Sequence, residues 1–312
     1  MCLALKLKID FDISKDAQVT KWPAIFTIGS CFAHSQAKRM KKLGMVEQSN
    51  PFGILYNPVS IECILARVSN STLYQESDFE EREKVFSWEH HGDFKYKGKE
   101  EAVASSNQKV NETKEFLSKS DIVIITLGTS LVHTKDFNVV ANCHKQPNKE
   151  FEQRQLTFEE TKESIQRMID RVWMINDKAK IIFTVSPIRH LRSGVVESSR
   201  SKAVLLAAIH EVLLENKQHS YFPSYEIFMD ELRDYRFAKE DMTHPTEQAE
   251  EYIWDRFCET YFSSATNSIL HEVKKYNQLA AHRPIHDSQK HEQQVAKKRN
   301  TLNTNYPFLH LK

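Results

Sequence analysis

Three residues able to break an ester recur in the order a serine-dependent mechanism needs: Ser30 near the start, and Asp241 and His244 far downstream. Ser30 follows Gly29 at the end of the apolar run Ala24 to Ile28. A serine at a strand-to-helix turn stands at the rim of a sheet, beside the unpaired N–H groups that open a helix, and such groups stabilise a developing oxyanion. His244 has the chemistry to take the Ser30 proton and return it to a leaving group. Asp241, three residues earlier, can hold the other ring nitrogen and favour the imidazolium. Plainer roles compete: Ser30 as an ordinary N-cap, and Asp241 and His244 as caps of a helix starting at Pro245. Cys31 is a thiol at a helix start, but one step inside the helix its side chain points toward a core.

The elements that must position these residues are strands alternating with amphipathic helices. Ala24–Ile28 leads into a helical period from Phe32 to Leu43, with Ala33, Ala37, Met40 and Leu43 inward and Gly44 as a stop. Asp121–Leu127 and Ala179–Val185 are near-continuous apolar runs, the pattern of central parallel strands covered on both faces. Tyr221-Phe222-Pro223 reads as a weaker edge strand, because proline cannot donate to a ladder. Thr157 and Glu160 form a capping-box signature before Ile165, Met168, Ile169, Val172 and Trp173. Ala203–Leu214 is a second apolar helix, and Pro245 fits the first position of a third. Strand–helix alternation predicts a three-layer α/β/α fold with a doubly wound, mostly parallel sheet.

Residues 70–115 are polar, lack a firm period and read as an insertion with a β-like stretch at Val85–Trp88. The expected division is a main domain over 1–262 and a charged, partly helical C-terminal extension over 263–312, with no repeat. In an open α/β sheet, ligands bind outside the carboxyl ends of the strands. Those ends carry Gly29-Ser30-Cys31, Gly128-Thr129-Ser130, Ser186 to His190 and the Asp241–His244 loop. Arg189 is placed to hold an anionic part of a substrate or a salt bridge to a neighbouring helix. His144 reads as pocket-lining or structural, and His133 more as structural.

Lys+Arg 43 against Asp+Glu 42 leaves a net charge of +1, which argues against nucleic acid or an anionic membrane as partner. Cys2, Cys31, Cys63, Cys143 and Cys258 are odd in number, dispersed and without a CxxC pair, so neither a disulfide framework nor a zinc site is expected. The tail histidines His271, His282, His286 and His291 lack tight ligand spacing. No apolar run reaches transmembrane length, and a cytoplasmic protein without cofactor or metal is expected.

Residues 29–33 spell GSCFA, and with NPFGILYNP, TLGTS, TVSPIRH and DMTHP the chain resembles the GSCFA family over roughly residues 22–260. That family is similar to the SGNH/GDSL hydrolases, whose fold is flavodoxin-like. The resemblance implies Ser30 as nucleophile, Asp241 and His244 as its triad partners, and Gly53 as an oxyanion donor. Where that superfamily expects an asparagine after a strand, this sequence has Ser130, and Asn57 and Asn142 are the other possible donors. The implied activity is hydrolysis of a small-molecule or carbohydrate ester. An O-acyltransferase would intercept the same acyl-enzyme with an alcohol. A non-catalytic binding module would keep the pocket without the chemistry, and a scaffold would use the charged tail.

Overall fold

The computed structural model describes residues 9, 11–16, 19, 22–284, 288–309 and 311; Cys2 and His286 lie outside the described residues. Five parallel strands form the central sheet: β1 (Ala24–Gly29), β2 (Val46–Ser49), β5 (Ile122–Leu127), β9 (Lys180–Val185) and β10 (Ser220–Tyr221). Their spatial order is β10-β9-β5-β1-β2. The chain winds outward from β1 in one direction to β2 and in the other to β5 and β9, so the order reverses at β1. In such sheets the crevice opens at the carboxyl ends beside that reversal, which here is the end carrying Ser30.

Strand alternation splits the apolar residues between two cores. Phe26, Ile28, Val123, Ile125, Phe183 and Val185 face one layer, containing α2 (Pro58–Asn70), α3 (Lys99–Lys119), α4 (Phe158–Trp173) and α5 (Val195–Glu215). Ile25, Ile122, Ile124 and Ile182 face the other, with α1 (Cys31–Lys42) and α7 (Glu247–Tyr261). The three layers are those that near-continuous apolar strands require. α8 (Ser264–Ala281) and α9 (Ser288–Asn305) pack on the second core through Leu270, Val273, Tyr276 and Leu302. None of the helices among the described residues is long and apolar enough to cross a membrane.

Smaller elements sit above the sheet. The hairpin β3 (Glu80–Glu81) and β4 (Val85–Phe86) precedes α3. A three-stranded antiparallel sheet orders β7 (Asn138–Val140), β6 (Leu131–Lys135) and β8 (Glu152–Gln155). The short helix α6 (Ser224–Glu226) runs into a π-helical turn over Ile227–Glu231.

Two sequence expectations are corrected. Within 70–115, where no period was evident, α3 buries Ala102, Ser106, Val110, Thr113 and Leu117. That stripe keeps helical spacing, but three of its five members are small or hydroxylated, so apolarity alone hides it. The third helix does not begin at Pro245: Thr246 is its N-cap, accepting the Ala249 N–H at 3.3 Å, while Pro245 bridges to Ala238. The capping box of α4 forms as expected, with Thr157 and Glu160 exchanging bonds of 3.1 and 2.7 Å.

Candidate active site

Gly29 ends β1 at φ +139°, and a Cβ there would lie 2.1 Å from the Thr126 carbonyl oxygen of β5. Only glycine fits both that backbone and that contact. The chain then turns into α1, and Ser30 takes the N-cap position with extended backbone but makes no side-chain cap bond. Its residue is fully buried and its Oγ has no hydrogen-bond partner. A serine placed at a cap and not capping is a polar group held for something else; native proteins rarely bury such groups unpaired.

Asp241 and His244 lie in the loop before α7. Asp241 Oδ2 meets His244 Nδ1 at 2.6 Å, and its Oδ1 accepts the Thr243 and His244 N–H groups, each at 2.9 Å. Those backbone N–H groups are the main reason the Asp241 carboxyl is held well below the usual carboxylate range. The bond at Nδ1 leaves His244 Nε2 without a bonded partner among the described residues. Asp241 therefore closes its own loop rather than capping α7, a role Thr246 has taken.

The residues expected as oxyanion donors have other occupations. Gly53 sits at φ +85° in a turn whose N–H donates to Asn50 O at 2.8 Å. A side chain at Gly53 would strike His91 Cβ at 2.2 Å, so the glycine lets the loop after β2 lie against the segment around His91. Ser130 is fully buried, and its hydroxyl donates to Ser201, O at 3.1 Å and Oγ at 3.2 Å, while its N–H goes to Ser201 Oγ at 2.7 Å. The expectation that Ser130 replaces the missing asparagine is corrected: α5 has claimed its hydroxyl. Asn57 caps α2, accepting from Ser60 N and donating to Ser60 Oγ. Asn142 Oδ1 holds the His144 N–H at 2.8 Å. His144 is buried and stacked on Phe86 at 4.1 Å, with Nε2 2.9 Å from Ser87 O. Its place is structural, and burial pushes its pKa down to about 4. Of the two readings of His144, these contacts favour the structural one, and the Asn142 oxygen that was a possible site group is spent on the His144 N–H. His133 lies on β6, opposite Val140 and Gln153.

Four groups to which the sequence assigned no role complete the rim. Asn50, at φ 45°, binds the Gly29 N–H through Oδ1 at 2.8 Å, and its Nδ2 is buried without a partner. An amide donor thus stands unused beside the Gly29-Ser30 turn. Tyr56 O accepts the N–H groups of both Gly128 and Thr129, fixing the turn after β5. His190, flagged only as a rim residue, packs edge-on to Tyr56 at 5.0 Å, and its Nε2 is buried and unpaired above Gly128. Burial, then the charges of Lys202 and His244, push its pKa down to about 4, so it is a neutral imidazole at neutral pH. Lys202 of α5 is fully buried and donates to Gly128 O at 2.8 Å and Ser186 O at 2.7 Å, tying together the ends of β5 and β9.

Three buried, unpaired polar groups, Ser30 Oγ, Asn50 Nδ2 and His190 Nε2, therefore lie at the carboxyl ends of β1, β2, β5 and β9, and the Asp241–His244 pair is near enough to His190 for the His244 charge to act on it. This is the crevice of a doubly wound α/β protein equipped with polar groups in want of a ligand. The chain belongs to the GSCFA family, whose model matches residues 24–257. Among solved structures it is similar to a Clostridium thermocellum family 3 carbohydrate esterase, with a TM-score of 0.36 and 10% identity over 80% of this chain and 98% of that one. No curated protein matches it.

Proposed function

We propose that the protein is a serine ester hydrolase of the SGNH type, with Ser30 as nucleophile, His244 as general base and Asp241 as the group that orients it. The observation that carries this reading is the 2.6 Å Asp241–His244 bond, which leaves Nε2 unclaimed; the unpaired serine hydroxyl buried at the end of β1 supports it as the partner in the chemistry. Asp241 fixes the tautomer with its proton on Nδ1, so that Nε2 is the basic nitrogen. His244 takes the Ser30 proton as Oγ attacks the ester carbonyl, and passes it to the departing alkoxide. Water then cleaves the acyl-enzyme by the same route in reverse, and a carbohydrate or small-metabolite ester fits this chemistry. Asn50 Nδ2 is the donor best placed for the oxyanion, standing in for the asparagine that the sequence lacks after β5.

In this structure Ser30 and His244 are not hydrogen-bonded, so the reading requires the rim to tighten around substrate; catalytic bonds are commonly long in the absence of ligand. The test is labelling by a fluorophosphonate probe beside hydrolysis of 4-nitrophenyl acetate. Wild type should label and turn over, and Ser30→Ala should do neither; equal labelling of the two proteins removes Ser30 from the role. An O-acyltransferase would show the same labelling, with turnover rising when a sugar alcohol is added.

One observation favours a second reading. The Gly53 N–H bonds Asn50 O, the Ser130 hydroxyl bonds Ser201 and the Asn57 side chain bonds Ser60, so these expected oxyanion donors are occupied, and the Ser30 N–H is itself bonded to Thr126 O. A binding module that kept the crevice without the chemistry would look like this. It predicts no labelling of wild type, with ligand binding intact in Ser30→Ala.

A further inference from the structure

The charges around the crevice are not evenly matched. A groove of about 330 Å³ opens beside the Asp241–His244 loop, lined by Pro187, Arg189, Leu232, Tyr235, Met242 and Thr243 among others. Its walls are the turn after β9 and the segment that follows the π-helical turn. Tyr235 and Met242, 82% and 55% exposed, add apolar surface to its lining. Two of the groove's charged side chains are neutralised: Arg233 pairs with Asp230 at 3.0 Å, and Asp234 with Arg236 at 3.1 Å.

Arg189 is different. Its Nη1 donates to Ser199 Oγ at 3.1 Å and its Nη2 to Tyr225 OH at 3.2 Å, and no carboxylate lies within ion-pair distance among the described residues. Two neutral hydroxyls hold the guanidinium in place without cancelling its charge. Arginine has five N–H donors, so a planar fork remains available. A guanidinium fixed by neutral groups, next to a reaction rim and left without a countercharge, has the form of a site for a planar oxyanion.

We propose that this groove is the subsite for the alcohol portion of the ester, and that it takes an alcohol carrying a carboxylate, gripped by Arg189, with its apolar body against Tyr235 and Met242. The proposal rests on Ser30 being the nucleophile only for its kinetic arm. The apolar walls and the single unmatched cation favour an aryl or alkyl carboxylate over a bare sugar.

The kinetic arm compares 4-acetoxybenzoate with its neutral methyl ester. Wild type should prefer the anion in kcat/KM, and Arg189→Gln should lower the anion-to-neutral ratio roughly 10- to 100-fold, the worth of a charged hydrogen-bonded pair. Arg189→Lys, which keeps the charge but loses the fork, should fall between. An unchanged ratio in Arg189→Gln overturns the proposal, even if both rates drop together, because that pattern marks a merely structural arginine. The binding arm uses calorimetric titration of 4-hydroxybenzoate into Ser30→Ala and into Ser30→Ala/Arg189→Gln. Affinity lost only in the second supports the groove whether or not Ser30 is the nucleophile, and equal affinity in both overturns it. Absence of turnover on either ester, together with Arg189-dependent binding, would sink the esterase reading and the alcohol role of the groove, while leaving its Arg189 carboxylate site standing.

Discussion

At the scale of single residues, the proposed mechanism asks most of the Asp241 carboxylate. That carboxylate makes four hydrogen bonds at once, two to backbone N–H groups, one to the Thr243 hydroxyl and one to the His244 ring. Asp241→Asn keeps the loop's shape but can present its amide N–H₂ to Nδ1, which moves the imidazole proton to Nε2 and leaves His244 unable to accept from Ser30. Hydrolysis of 4-nitrophenyl acetate should fall on the order of 10³- to 10⁴-fold in kcat with KM little changed. A drop in KM affinity instead of kcat would mean that Asp241 only shapes the binding loop. Asn50 sets the complementary demand, because its Oδ1 is committed to Gly29 and only Nδ2 is available to a ligand. Its signal in the sequence was faint: Asn-Pro marks a turn, and nothing in the string tells which face of the amide is left over.

Among the elements, α5 shows how a helix can support a site without touching the nucleophile. Its buried stripe is Ser198, Ser201, Lys202, Leu205, Ala208, Ile209 and Val212, a regular helical repeat with a lysine in its midst. The spacing was available in the sequence, but the apolar run begins only at Ala203, so the polar first turns of the stripe went unread. Strand ends, the main strands themselves and the capping box were legible because apolar runs and the Thr157–Glu160 spacing report them directly. The donors were not, because Ser130 and Asn57 reveal their partners, Ser201 and Ser60, only once helices are packed. Burial, chiefly, pushes the Lys202 pKa down to about 7 from the usual lysine value. The fold therefore favours the neutral amine, and that contribution to stability is present above the unfolded-chain pKa of about 10.4 and is lost as pH falls toward 7. The urea midpoint of wild type should rise between pH 7 and pH 9 by more than that of Lys202→Met. Parallel curves for the two proteins would show that the ammonium is not desolvated in the way its position demands.

For the molecule as a whole, the segment between α2 and α3 ties acid stability to the loop after β2. His90 is fully buried, both ring nitrogens lack partners, and Phe52, Tyr74, Phe79 and Phe94 pack around it with ring centroids 5.0–6.0 Å away. Burial first, then the charges of His144, Arg67 and Lys109, push its pKa down to about 3. The unfolded chain takes up the proton near pH 6.5 and the native one does not, so stability present above that value is lost as pH falls toward 3. His144, His190 and His219, each pushed down to about 4, act with the same sign. His90→Phe, whose ring suits an aromatic box, should lose roughly 2 kcal/mol less stability than wild type between pH 7 and pH 5. Identical losses in urea unfolding at the two pH values would remove His90 as a source of acid sensitivity.

The position of β1 in the sheet carries a further consequence, for the order in which a ribosome can deliver this protein. β1 lies between β2 and β5, with Ala24 held by Asp121 and Gly29 by Thr126, so the strand that carries the serine is enclosed only after the chain has grown past β5. Asp241 and His244 emerge later still, after β9 and β10 have been laid down. A nascent or prematurely ended chain can therefore build the cradle of Ser30 without the Asp241–His244 pair. The Asp–His pair arrives last, when the sheet that holds the serine is already closed.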